Sequence, residues 1–389
     1  MKILMTADTV GGVWIYAIEL ASQLSDHGHE IVLATMGQTP TAEQQAAAAQ
    51  IPRLQLYASN YKLEWMENPW ADVEEAGAWL LAIAQAVKPD IIHLNNYAHG
   101  SLPWPAPVLM VGHSCVLSWW RAVHGVDAPA GWETYRRQVR AGLQSADVVV
   151  APTQAMLHAL QQHYGHFRNS VAIYNGCQAQ KFRSAPKEEV IFSIGRLWDD
   201  AKNIAALETV APQLAWPIYV AGASRHPDGG ERQLSSIQPL GVLARNDVIA
   251  WLSKTAIYAL PARYEPFGLS ALEAALSGCA LVLSEIPTLC ELWEDHALFV
   301  PPNDPDALRD ALSTLMADAQ LRKSLGEAAR RRAFTFTSER MAKRYLMLYQ
   351  LLNRSRAYPT PHALPLPSAV PPMALPATMA GESAALRQQ

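Results

Sequence analysis

The chain has 389 residues, half of them hydrophobic, with 31 Lys and Arg against 35 Asp and Glu and a formal net charge of -4. That much apolar material fills two cores of ordinary domain size, and so slight an acidic balance excludes the clustered cations that a broad nucleic-acid footprint needs. The four cysteines, Cys115, Cys177, Cys279 and Cys290, show no Cys-x-x-Cys spacing, and each lies in or beside an apolar segment as a reduced, buried thiol does.

Met1-Lys-Ile-Leu-Met-Thr reads as a strand that enters a glycine turn directly, with no signal core or cleavage pattern. No membrane-length apolar run follows, so a cytoplasmic protein is expected. Apolar runs at 3–6, 31–35, 90–94, 108–112 and 147–151 alternate with helical patterns, which predicts a parallel sheet covered by helices. A polar stretch follows Asn175-Gly176, and a second set of runs occupies 190–194, 218–221, 257–260 and 281–284. The fold class is therefore α/β with two Rossmann-like domains, an N-terminal one over 1–178 and a C-terminal one over 186–335. A helical run rich in Met, Tyr and Leu fills 338–352, and beyond Arg354 the sequence turns to Pro and Ala with little charge, which reads as a disordered tail over 355–389.

Between the first strand and first helix lies Asp8-Thr9-Val10-Gly11-Gly12-Val13-Trp14, where glycine lets the backbone approach a ligand closely. It lacks the Gly-x-Gly-x-x-Gly spacing of dinucleotide sites and the Gly-Lys-Ser/Thr ending of a P-loop, which disfavours NAD and ATP hydrolysis. His93, with Asn95 close by, lies at the end of one predicted strand and His113 at the end of the next, and strand C-termini line the cleft in such sheets. His93 and Asn95 could orient acceptor hydroxyls, or His93 could be a satisfied structural residue. Eight of the twelve tryptophans fall at positions 14, 65, 70, 79, 104, 119, 120 and 132. Most read as core, while Trp119 follows His113 closely enough to form an acceptor wall. Arg136, Arg137 and Arg140 make a basic helix face, open to solvent or to a peripheral anionic membrane surface. His158, His163 and His166 lack an accompanying acid at metal-site spacing, and no metal site is expected.

The richest stretch is Arg263-Tyr-Glu-Pro-Phe-Gly-Leu-Ser-Ala-Leu-Glu273, with seven residues between Glu265 and Glu273. Pro266 and Gly268 punctuate the chain after an apolar strand and open a helix that runs to about Gly278. Backbone N–H groups of Phe267, Gly268 and Leu269 at its start should point outward and suit a phosphate or sugar hydroxyls. Glu273 is the lone charge on an apolar helix, so it needs a partner, and ribose hydroxyls would serve. Either acid alone reads as a solvated charge; the pair around one turn does not.

The segment resembles the E-x7-E signature of the retaining glycosyltransferases of family 4, which have the GT-B fold. Glu265-Pro-Phe-Gly-Leu, then Glu273, then Gly278-Cys-Ala-Leu-Val, then Pro287 and Glu291, keep the family's order. Upstream, Phe192-Ser-Ile-Gly195-Arg196-Leu197 and Lys202-Asn203 resemble its phosphate-gripping element, with one extra residue between Arg196 and Lys202. The resemblance covers about the first 350 residues. It implies that helix 336–354 crosses back onto the N-terminal domain, that Glu265 binds donor-sugar hydroxyls and Glu273 the ribose, and that His113 contacts the sugar near the reacting carbon. It also implies that Arg196 and Lys202 stabilise the leaving diphosphate in place of a metal. Gly12, Gly195 and Gly222 would flank the donor, and Gly11, Trp14, His93, Asn95 and Trp119 the acceptor. The expected activity is transfer of a hexose from a nucleoside diphosphate sugar to a glycan or lipid-linked acceptor, without cofactor. A nucleotide-sugar isomerase and a silent nucleotide-sugar-binding protein are the alternatives.

Overall fold

The computed structural model describes residues 1–225 and 234–357. Two parallel sheets organise it. The first is built from β1 (Lys2–Asp8), β2 (Glu30–Met36), β3 (Leu54–Ala58), β4 (Ile91–Leu94), β5 (Val108–Val111), β6 (Val148–Ala151) and β7 (Ser170–Ala172), in the order β3-β2-β1-β4-β5-β6-β7. The second is built from β8 (Glu188–Ile194), β9 (Ile218–Ala221), β10 (Gln238–Gly241), β11 (Thr255–Leu260), β12 (Ala280–Ser284) and β13 (Leu298–Val300), in the order β10-β9-β8-β11-β12-β13.

Central strands such as β6, Val-Val-Val-Ala, and β11, Thr-Ala-Ile-Tyr-Ala-Leu, are buried along their whole length because helices cover both faces of each sheet. Each fully enclosed Leu or Ile contributes about 1.5–3 kcal/mol relative to exposure. The strand order reverses between β1 and β4 in the first sheet and between β8 and β11 in the second. Ligand crevices open at such points, beyond the carboxyl ends of the strands.

The helix Ser338–Ala357 returns to the first sheet, where Met341, Ala342, Tyr345 and Tyr349 join one apolar cluster with Tyr16, Ala17 and Leu20 of the helix Gly12–Asp26. That helix reaches three residues past the expected end of the crossover, into the segment read as tail; the rest of the tail lies outside the described residues. The chain thus passes between the two sheets twice, and the passes touch. Cys177 N–H donates to Phe336 C=O at 3.3 Å and Ser338 N–H donates to Cys177 C=O at 3.1 Å. On the first pass, Lys187 donates to Ser253 C=O at 2.9 Å and Ser277 C=O at 2.7 Å, so one ammonium serves the C-terminal ends of the helices Arg245–Lys254 and Leu269–Leu276. Among the described residues no helix is long and apolar enough to cross a membrane.

Candidate active site

Glu265 lies in the loop beyond β11, at the reversal point of the second sheet. Its Oε2 receives Lys202 Nζ at 2.6 Å, and its Oε1 receives the N–H of Gly268 at 3.0 Å. Gly268 caps the helix Leu269–Leu276 with φ of 82°, a left-handed conformation that a side chain would strain, and an added Cβ would sit 3.3 Å from Leu289 Cδ2. The outward-pointing N–H groups expected at this helix start are therefore only partly free, since the Gly268 donor is already held by Glu265. Phe267 is enclosed in the core, its ring edge-on to Phe336, so its side chain is turned away from the cleft.

Arg196 follows β8 at the same reversal point. Its Nη2 pairs with Asp199 Oδ2 at 2.6 Å, its guanidinium stacks over Trp198 at 5.0 Å, and its Nε has no acceptor among the described residues. Asp199 also accepts from Ala201 N–H at 3.0 Å and from the Trp119 indole at 3.1 Å. Burial alone would raise the Asp199 pKa; the Arg196 and Lys202 charges and these hydrogen bonds outweigh it and hold the carboxyl below its usual range. The extra residue between Arg196 and Lys202 is absorbed by this short turn, Asp200–Lys202, which keeps both cations on one side. Gly195 and Gly222 meet backbone to backbone, where a Cβ on Gly222 would lie 1.9 Å from Gly195 C=O. The smallness of Gly222 is thus explained by this close approach, while a Cβ on Gly195 would sit 3.1 Å from the Lys202 side chain.

The first sheet presents its own reversal point across the gap. Asp8 Oδ1 accepts the N–H groups of Val10 and Gly11, each at 3.0 Å, and burial raises its pKa against those bonds and the Arg196 charge. A Cβ on Gly11 would sit 3.5 Å from Arg196 Nη1, and one on Gly12 would sit 3.8 Å from Leu269 Cδ1, so the two halves of the site are in contact. Asn95 donates to Thr6 C=O at 2.6 Å and therefore turns its oxygen to His113 Nε2 at 2.8 Å, which places the ring proton on Nε2. Burial pushes the His113 pKa down to about 3, leaving a neutral ring with Nδ1 as an acceptor.

Two of the expected acceptor residues are elsewhere. His93 is fully enclosed between Tyr16 OH at 3.2 Å and Tyr349 OH at 2.5 Å, with its pKa pushed by burial to about 3. The returning helix Ser338–Ala357 covers the face of β4 that carries it, so it reaches no acceptor. Trp14 likewise faces the core of the first domain, on the side of its helix that meets the sheet.

Glu273 is buried and paired with Arg245 at 2.7 Å, so its partner within the chain is a guanidinium at the start of the helix Arg245–Lys254. Sequence reasoning missed Arg245, along with Asp8, Asp199 and Tyr264. The Tyr264 hydroxyl accepts Cys115 N–H from the first domain at 3.0 Å. Glu291, seen in the sequence only as part of a motif, accepts Gln154 and Ala155 N–H at 2.8 Å each, capping the helix Gln154–Tyr164 across the domain boundary. Beside it Thr153 donates to Pro266 C=O at 3.1 Å, inside the Glu265 loop. Among the described residues no group of three or more His, Cys, Asp or Glu is arranged to hold a metal ion.

Comparisons with known proteins identify the family and the fold. Glycosyltransferase Family 4 matches residues 10–181 and Glycosyl transferases group 1 matches residues 178–332. A glycogen synthase of Mycobacterium tuberculosis is 24% identical, over 94% of this chain and 100% of that protein. Among solved structures, a sucrose-phosphate synthase from Thermosynechococcus elongatus superposes with a TM-score of 0.76 at 20% identity, covering 91% of this chain and 100% of that one. Anabaena HepE in complex with UDP-glucose superposes with a TM-score of 0.72 at 17% identity, covering 90% and 99%. These two superpositions establish the two-domain GT-B architecture.

Proposed function

Because the chain belongs to the family 4, group 1 glycosyltransferases, we propose that the cleft between its two sheets transfers a hexose, with retained configuration, from a nucleoside diphosphate sugar to an acceptor hydroxyl. The protein is a glycosyltransferase that uses a nucleotide sugar, an enzyme of the hexosyltransferase class. The isomerase and the silent binding protein are not favoured.

The observation that carries the reading is the convergence of Arg196, Lys202 and Glu265 at one reversal point, facing the Gly11 turn of the other domain. As the bond from the anomeric carbon to the phosphate oxygen breaks, the diphosphate gains charge, and the Arg196 guanidinium and Lys202 ammonium stabilise it. The acceptor oxygen forms its bond on the same face and its proton passes to the departing phosphate oxygen. Glu265, fixed by Lys202 and Gly268, accepts donor-sugar hydroxyls; neutral His113 accepts one through Nδ1. Glu273 binds ribose by sharing or releasing Arg245. With two fixed cations at the diphosphate, no metal is required in this mechanism, and activity should persist in EDTA. We place the enzyme in the cytoplasm, where the Arg136 and Arg140 face of the first domain could meet an anionic membrane surface; vesicle flotation tests that contact.

Calorimetric titration with UDP, GDP, ADP and their glucose, mannose and galactose forms tests the donor site, and the anomer of the product tests retention. Absence of binding by every nucleotide sugar would remove the reading.

A further inference from the structure

A cavity of about 210 Å³ opens in the first domain between the loop before the helix Trp70–Val87 and the segment before the helix Glu133–Ser145. Its walls include Glu64, Glu67, Asn68, Trp70, Trp132 and Tyr135, and no lining residue is cationic. It is smaller than the roughly 300–1,000 Å³ that encloses a drug-sized ligand and suits a single ring.

Glu64 is 7% exposed. Its carboxylate accepts Tyr97 N–H at 2.9 Å and Ala98 N–H at 2.6 Å, and burial raises its pKa to about 7 against those bonds. A carboxylate has about four lone-pair sites, so backbone capping leaves capacity for another donor on the cavity side. The cap explains why Glu64 is buried. It does not explain why half-buried Trp70 and Trp132, edge-on to Tyr135 at 5.7 Å, enclose an empty volume beside it.

The cavity is tied to the cleft by two tyrosines. Tyr97, whose N–H rests on Glu64, donates its hydroxyl to Ser114 C=O at 2.6 Å, one residue beyond His113. Tyr135 accepts Val116 N–H at 3.3 Å. The span of one tyrosine side chain therefore separates the cavity from the end of the His113 strand.

We propose that this cavity is a second carbohydrate subsite, which takes a neutral sugar unit of the acceptor remote from the hydroxyl that is glycosylated; the proposal rests on the transferase reading above. Indole faces cover the apolar face of the ring, and Glu64 accepts its hydroxyls. With acidic side chains and no cation in the lining, the cavity disfavours a uronic acid or phosphorylated unit at this position.

The test uses the full chain labelled with 5-fluorotryptophan, with the Trp70, Trp119 and Trp132 resonances assigned by Trp→Phe variants. Maltose and cellobiose, at the millimolar concentrations where weak sugar binding is seen, should move the Trp70 and Trp132 signals, and glucuronic acid should not. Trp132→Ala should weaken disaccharide binding about tenfold, and Glu64→Gln should weaken it in the same direction while preserving volume. Trp70 and Trp132 signals that ignore both disaccharides while UDP-, ADP- or GDP-glucose moves Trp119 would overturn the subsite and leave the transferase reading standing. If none of the nucleotide sugars moves Trp119, it is the transferase reading that falls. Equal disaccharide binding in both variants, or a stronger response to glucuronic acid, also overturns the subsite.

Discussion

The indole N–H of Trp119, from the first domain, donates to Asp199 Oδ1 at 3.1 Å, and the other oxygen of that carboxylate holds Arg196 at 2.6 Å. A residue of the first domain thereby holds the carboxylate that orients Arg196 in the second, so the position of this guanidinium depends on contact between the two domains.

Arg196→Ala should lower kcat/KM about 10²–10³-fold, as expected for removal of a preorganised donor to developing charge. Trp119→Phe keeps the ring and loses only the hydrogen bond to Asp199, so about a tenfold loss is expected. Steady-state kinetics on both variants decide it; a Trp119→Phe enzyme with unchanged kcat/KM would break the link to Arg196.

Lys202 and Glu265 are mostly buried, with side chains 18% and 12% exposed. Lys202→Met should cost about 1–3 kcal/mol of stability, because it leaves a carboxylate without its charge partner. Glu265→Gln leaves the Lys202 ammonium without its charge partner in turn and should cost a similar amount, although its amide oxygen can still accept from Gly268. Urea denaturation of the two single variants and the double variant measures the coupling, and additive costs would contradict the pairing.

Glu291 caps a helix in the opposite domain, so Glu291→Ala should act on closure rather than on chemistry. Global stability should fall by about 0.5–2 kcal/mol, as for loss of an N-terminal cap. KM for the donor should rise more than kcat falls. A pure kcat effect with unchanged KM would count against an interdomain role.

Burial depresses the pKa of His93 to about 3, while an unfolded chain protonates its histidines near 6.5. Between those values the unfolded state binds the extra proton, so the stability this neutral histidine confers is present above pH 6.5 and is lost as pH falls. From pH 7 to pH 5 the loss is about 2 kcal/mol. Urea midpoints should drop over that range in both proteins, because buried His113 titrates in the same sense, and the loss of stability should be smaller by about 2 kcal/mol in His93→Gln. Parallel pH profiles for the two proteins would refute the assignment.

Central strands were legible in the sequence because enclosure on both faces leaves near-continuous apolar runs. The four strands that were not legible, β3, β7, β10 and β13, are the four sheet edges: partial exposure mixes polar residues into β3, β7 and β10, and β13 is an apolar run of only three residues. Among site residues, Glu265, Arg196 and Lys202 were legible because glycines and proline fix their backbone locally. Arg245 was not: it lies 28 positions before Glu273, and nothing local in either segment specifies that they meet. His93 misled for a related reason, since the helix that encloses it lies more than two hundred residues further along the chain.

The return of the helix Ser338–Ala357 to the first sheet also sets an order of assembly. The apolar cluster around Tyr16, Ala17 and Leu20 is completed by Met341, Tyr345 and Tyr349. During synthesis the ribosome must add about 170 residues after Cys177 before that cover exists, roughly ten to thirty seconds at ~5–20 residues per second. The domain begun first is therefore completed last, after the second sheet has been made. In that interval its incompletely covered face is open to chaperones and to aggregation.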